Sequence, residues 1–188
     1  MHGWDPHTPI DETLAVLESL VTAGKIRYAG VSNYAGWQLA TVGSAPHVVS
    51  AQMEYSLVQR GIEREVVPAC DEHGVGIMAW SPLGRGVLTG KYRHATPSDS
   101  RAASAHFASF VSPHLTERPR TIVEAVCTAA DGLGLSPTLV SLAWLLGRPW
   151  VSCAVVGARN AQQLRSSLAA VDVSLPSEIH DALDEISQ

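Results

Sequence analysis

Charge, cysteine and long apolar runs are all scarce in this chain, and each shortage closes off a class of function. Only 16% of the 188 residues are charged and the balance is −5. Nucleic acids and anionic membrane surfaces both demand a basic face, so neither is an expected partner. The three cysteines, Cys70, Cys127 and Cys153, are odd in number, far apart and without a C-x-x-C pair. That pattern argues against a disulfide framework or a zinc site and predicts reduced thiols in the cytoplasm. No apolar stretch reaches the roughly 18 residues of a membrane-crossing helix, and Met1–Pro9 is too polar for a signal peptide. The eight histidines show no metal-ligand spacing, so no metal is expected.

What remains is a globular composition, 46% hydrophobic, in a length that supports one domain burying roughly 70% of its unfolded surface. The most informative stretch is GIMAWSPLGRGVLTGK, residues 76–91. An apolar run from Ile77 to Ala79 reads as a strand covered on both faces. It ends at Trp80-Ser81, and Pro82 with Gly84, Gly86 and Gly90 then makes a loop whose backbone N–H groups can approach a ligand. With Arg85 and Lys91 nearby, such a loop can cradle phosphates; it can equally be an ordinary turn.

Around it, helices alternate with strands. Thr8 can cap a helix that has Pro9 in its first position and Ile10, Leu14, Leu17 and Val21 as one apolar stripe. Strands are predicted at Ile26–Val31, His47–Met53, Val75–Trp80 and Val151–Val156. Helical patterns cover Ile62–His73, with a bend or late start at Pro68, then Glu117–Ala130, Pro137–Leu146 behind a Ser136 cap, a segment capped by Asn160, and Ser177–Ile186. Tyr92–Arg120 lacks periodicity and reads as a long loop, either a lid or a disordered connection. The alternation predicts a parallel α/β sheet with right-handed crossovers.

Ligands of such sheets bind past the carboxyl ends of the strands. Ser32, Asn33, Gln52, Glu54, Tyr55, Trp80, Ser81, Gly157 and Arg159 occupy those places. Together they offer amides, hydroxyls, aromatic faces, glycines and a guanidinium, the parts needed to hold a flat amide-bearing ring joined to phosphates. Taken singly, each has a plainer reading: Ser32-Asn33 as a helix cap, Gln52 as a partner for backbone groups, Trp80 as a core aromatic, Arg159 as a solvated cation and His2 as a terminal residue.

Five ordered motifs, HGWDPHTPIDETL, GKIRYAGVSNY, AQMEYSLVQR, AWSPLGRGVLTGKY and VVGARNAQQL, make the whole chain resemble the aldo/keto reductases, especially the bacterial and potassium-channel β-subunit-like branch. The resemblance implies an eight-stranded (β/α) barrel that binds NADP(H) and reduces small-molecule aldehyde or ketone carbonyls by hydride transfer. It assigns Ser32, Asn33 and Gln52 to the nicotinamide carboxamide and Trp80 to the ring face. Ser81, Leu83, Gly86, Leu88 and Lys91 fall to the pyrophosphate, and Gly157, Arg159 and Gln163 to the adenosine ribose and its 2′-phosphate. His2 takes the position beside the substrate carbonyl, and Ser167 stands where relatives often carry Asn. No tyrosine, lysine or aspartate here matches the family's proton-donor motifs. The fold implied is therefore an incomplete (β/α)8 barrel over residues 1–188, four βα units plus the end of another strand. Its open edges and apolar interior call for a second copy or a missing N-terminal half. The chain then reads as a truncated gene product or one with a start further upstream. Three functions stay open: a reductase completed by the missing half, a non-catalytic NADP(H)-binding or regulatory protein, and a non-functional remnant.

Overall fold

The computed structural model describes residues 1–188, and the chain sorts into two compact units. The first comprises Met1–Glu54, Gly61–Ala79 and Trp150–Cys153; the second comprises Tyr55–Arg60, Trp80–Pro149 and Ala154–Gln188.

The first unit is built on helix α1 (Ile10–Thr22), strand β1 (Ala29–Ser32), helix α2 (Gly36–Gly43), strand β2 (Val48–Glu54), helix α3 (Val66–His73) and all but the last residues of strand β3 (Gly76–Trp80) and strand β4 (Val151–Val155). The strands form one parallel sheet in the order β1-β2-β3-β4. Gly30 pairs with Ser50 and Ser32 with Gln52. Alternation sends Val31, Ala51, Met53, Ile77 and Ala79 to a buried face, and α2 and α3 pack together with Leu39, Val42, Val66 and Cys70 buried. Their closeness requires Gly36, since a Cβ there would stand 2.6 Å from the Glu65 Cβ and 2.8 Å from its carbonyl oxygen. Burial pushes the Cys70 thiol up to about 11, so it is an inert core group rather than a nucleophile.

Several sequence expectations need correction. The other face of the sheet is not apolar. A Cβ on Gly30 would meet the Ser50 hydroxyl and one on Gly76 the Ser152 hydroxyl, so these residues share a face, and Gln52, two residues beyond Ser50, joins them. By the same alternation Met78 and Trp80 of β3 are the large side chains on that face, so it is mixed, polar on β1, β2 and the start of β4 and apolar on β3. Thr8 does not cap α1: its hydroxyl donates to Asp5, and Pro9 takes the cap position with the helix starting one residue later. Residues 1–9 contain no strand, although the Met1 ammonium donates to the Gly30 carbonyl at 2.7 Å. The predicted helix Ile62–His73 splits into a 3-10 turn at Gly61–Glu63 and α3. This is the late start that Pro68 foretold, because it places proline in the first turn, where its missing N–H costs nothing.

The second unit holds helices α4 (Ala108–Val111), α5 (Glu117–Leu133), α6 (Pro137–Leu146), α7 (Ala161–Leu168) and α8 (Ser177–Ser187). Tyr92–Arg120 is not structureless: it carries 3-10 turns at Arg101–Ala103 and Ser112–Leu115, α4 between them, and the start of α5. Pieces of three or four residues are too short to show a period. Both predicted caps are present, with Ser136 accepting from the Leu139 N–H and Asn160 from the Gln163 N–H. The core gathers Tyr55, Leu57, Leu88, Val126, Leu142, Trp144 and Leu145. Asp184 of α8 accepts from the Trp144 indole N–H and pairs with Arg60 and Arg148.

His180 stacks on Trp144 in the same cluster. Burial, then the Arg148 guanidinium, with a smaller push from Arg60, hold its imidazole below its ordinary value of 6.5, while Asp181 pulls the other way. The unfolded chain therefore binds that proton more readily. The contribution is fully present above about pH 6.5 and is lost as pH falls through the lower folded value. Urea midpoints measured from roughly pH 7.5 to 5 are expected to fall less steeply in His180→Gln than in the native chain; parallel curves would count against it.

Candidate cofactor site

In the first unit the predicted amide-binding residues come together at the carboxyl ends of β1 and β2. Asn33 follows β1 with a left-handed backbone, φ +56°. Its N–H donates to the Gln52 carbonyl at 3.0 Å, and its side-chain amide donates to the Ser32 hydroxyl at 3.2 Å. Neither Ser32 nor Asn33 caps α2; that helix is entered through Ala35, whose N–H donates to Gln38 Oε1. Ser32, Asn33 and Gln52 thus form one polar cluster. A left-handed conformation is uncommon for a non-glycine residue and concentrates at binding sites. His2 lies exposed in the segment preceding α1, while Trp4 packs edge-on against Tyr34 and Trp37.

In the second unit the stretch after β3 turns tightly. The Trp80 carbonyl accepts from the Tyr55 N–H at 3.2 Å. Ser81 and Arg85 are left-handed, at φ +51° and +58°, and Gly86 sits at φ +98°. The Gly84 N–H donates back to the Ser81 carbonyl, and the Gly86 and Leu88 N–H groups to the Leu83 carbonyl. Glycine is required at position 86 by its φ, and a Cβ there would also stand 3.2 Å from Lys91 Nζ. Arg85 is held away from this turn on the long segment, donating to the Phe110 carbonyl at 2.6 Å with its guanidinium 3.9 Å over the Phe110 ring.

This turn and the start of α7 border one cavity of about 760 Å³ that lies wholly in the second unit. Ser81, Leu83, Gly86 and Lys91 line it from one side; Gly157, Arg159, Gln163 and Ser167 line it from the other. Leu88 does not: its side chain is fully buried in the core. The Gln163 side chain is engaged in the helix start, where its Oε1 accepts from the Arg159 N–H. Trp80 ends β3 half-buried and is outside the lining. Four cations, Arg85, Lys91, Arg101 and Arg159, share the wall. Arg101 and its neighbours Asp99 and Ser100 escaped sequence reasoning because they sit in the aperiodic segment. A lone arginine among serines and alanines gives no signal there.

A concave, cationic, glycine-turned cavity of this size suits an anionic small molecule, and comparison with known proteins narrows the class. The aldo/keto reductase family matches residues 1–188. The chain belongs to the aldo/keto reductase family. Over 99% of its length it is 36% identical to the uncharacterized oxidoreductase YrpG of Bacillus subtilis, covering 56% of that protein. Over its full length it is 33% identical to a probable voltage-gated potassium channel subunit beta of Arabidopsis thaliana, covering 59% of it. It is also 31% identical to the versiconal hemiacetal acetate reductase of Aspergillus parasiticus, covering 55% of that enzyme. The chain therefore spans a little over half the length of these relatives, and its four-stranded open sheet is part of an aldo/keto reductase barrel. Members of this family are oxidoreductases that typically depend on NAD(P)H.

Proposed function

We propose that this aldo/keto reductase chain is the dinucleotide-holding part of an NADP(H)-dependent carbonyl reductase acting on small aldehydes or ketones. The observation that carries the reading is the second-unit cavity, where a glycine turn, the cations Lys91, Arg101 and Arg159 and the start of α7 border one space. The residues present fit the group. Arg159 and Lys91 supply charge for phosphates, Gly86 lets backbone approach, and the family roles give the carboxamide to Ser32, Asn33 and Gln52. Leu88 then serves by backing the turn from the core. When bound, the reduced nicotinamide supplies a hydride to the carbonyl carbon, and His2 is the residue placed by resemblance beside that carbonyl. The open β1 and β4 edges are covered by a second copy or by the remaining barrel units.

Protonating the resulting alkoxide needs an acid whose pKa lies near working pH. Tyr34 does not supply one: its phenol is buried, burial pushes it up, and its hydroxyl lies against the Met1 sulfur. This favours a second reading in which the chain alone binds the cofactor without turning over. Titration with NADPH, read by tryptophan emission, tests the common part: saturable quenching is expected, and none would leave only the remnant. A carbonyl-reduction assay separates the remaining two.

Trp80→Ala should weaken NADPH binding by roughly 1–3 kcal/mol if the indole stacks on the nicotinamide, as aromatic–base stacking generally does. An unchanged dissociation constant rejects that contact while leaving the phosphate cavity in place.

A further inference from the structure

Asp99 is the sole carboxylate on the wall of the cationic cavity, and it is engaged by the very cation that the cofactor assignment gives to the 2′-phosphate. One terminal nitrogen of Arg159 donates to Asp99 Oδ2 at 3.1 Å and the other to the Asp99 carbonyl oxygen at 3.1 Å. The two residues lie 60 positions apart, so folding brings them together. The strap carrying Asp99 does not need this bond for its shape. Its turn is closed by the Ser100 N–H on the Pro97 carbonyl and the Ala103 N–H on the Ser100 carbonyl, with the Ala102 N–H reaching the Tyr92 hydroxyl.

We infer that Asp99 is a specificity-determining residue, a built-in competitor for the anion that Arg159 would bind, and that it narrows the advantage of NADP(H) over NAD(H). The inference rests on the dinucleotide reading above. A guanidinium has donors enough for two acceptors, but its single charge is already matched by the Asp99 carboxylate. A 2′-phosphate arriving at Arg159 must either displace that carboxylate or settle beside it, and like charges a few ångströms apart repel. NAD(H) carries a hydroxyl at that position and is indifferent. Both partners are mostly exposed, 67% for Arg159 and 72% for Asp99, so the effect is that of a screened surface pair, about fivefold in affinity. Asparagine keeps the size and one acceptor oxygen of Asp99 while deleting its charge, which makes Asp99→Asn the decisive variant.

The experiment is calorimetric titration of the full 188-residue chain with NADP⁺ and with NAD⁺. Asp99→Asn should tighten NADP⁺ about fivefold and change NAD⁺ by less than about twofold. The gain should shrink at high salt and vanish when Arg159 is also alanine. Asp172→Asn removes the same charge outside the cavity lining and should leave both affinities alone. If Asp99 instead latches the strap over bound cofactor, Asp99→Asn weakens both dinucleotides, which overturns the inference. Unchanged NADP⁺ affinity, or equal tightening of both ligands, overturns it too, with the cofactor assignment intact. Failure of the native chain and the variant to bind either dinucleotide overturns both.

Discussion

Asp184→Asn is expected to lower the unfolding free energy by about 3–5 kcal/mol, the cost of breaking a largely buried ion cluster from one side. Asp184 is the carboxylate of that cluster. Its Oδ1 accepts the Trp144 indole N–H at 3.1 Å, lies 3.1 Å from an Arg60 nitrogen and pairs with Arg148. The two arginine side chains are only 11% and 8% exposed, and their guanidiniums lie over the Trp144 ring, 5.4 Å and 4.3 Å from its centre. Asparagine preserves one acceptor for the indole but brings no charge to two cations already removed from most of their water. Arg60 keeps its bonds to the Asp184 carbonyl and the Ser187 hydroxyl, so α8 stays tethered by neutral bonds and the loss registers as stability rather than as a different fold. The measurement is a urea midpoint by far-UV circular dichroism. A shift corresponding to under about 1 kcal/mol would mean that the cluster is as weak as a surface pair. A companion variant sharpens the result: replacing Arg60, Arg148 and Asp184 together by apolar residues should be much less harmful than Asp184→Asn, because no buried charge is left behind.

None of that cluster was visible in the sequence, and the reason is physical. Arg60 and Asp184 are separated by 124 positions, and neither apolar periodicity nor capping chemistry carries information over such a span. What could be read was local. Ser136-Pro137 and Asn160 announce helix starts because a side-chain oxygen meets an N–H three residues on. The run from Ile77 to Ala79 announces a strand because both of its faces are covered or half-covered. The alternation of those elements was enough for the parallel sheet. Thr8 misled because the helix begins one residue late: Pro9 occupies the cap position, which leaves Thr8 outside it with its hydroxyl donating to Asp5. The sheet interior misled for a different reason. Gly30, Ser50, Gly76 and Ser152 are unremarkable one at a time, and only strand register places them beside one another as a small, polar patch. The candidate site divides along the same line. Residues in motif-bearing turns, Gly86 and Arg159 among them, could be singled out from the sequence and line the cavity, whereas Asp99 and Arg101, which line it too, could not, because their position depends on short 3-10 turns.

Substituting Lys91 and Arg159 together by alanine is expected to weaken NADPH about a hundredfold, close to 3 kcal/mol. Each cation stands to lose a charge-assisted hydrogen bond of about 1.5–3 kcal/mol, and both side chains are exposed, so the lower end applies to each. They approach the cavity from different elements, Lys91 beyond the glycine turn and Arg159 ahead of α7, and by their family assignments they serve different phosphates. Their losses should therefore nearly add. The single variants carry the finer information. Lys91→Ala should weaken NADPH and NADH alike, since both have the pyrophosphate, whereas Arg159→Ala should weaken NADPH alone and bring the two affinities together. Arg165→Ala, a cation of α7 outside the lining, controls for loss of general positive field and should leave both unchanged. Tryptophan-emission titrations at several salt concentrations provide the readout, because removing cations that contact phosphate must also flatten the salt dependence of binding. If the double variant binds NADPH as the native chain does, the cavity of the second unit is not where phosphates lie, and the cofactor assignment fails with it.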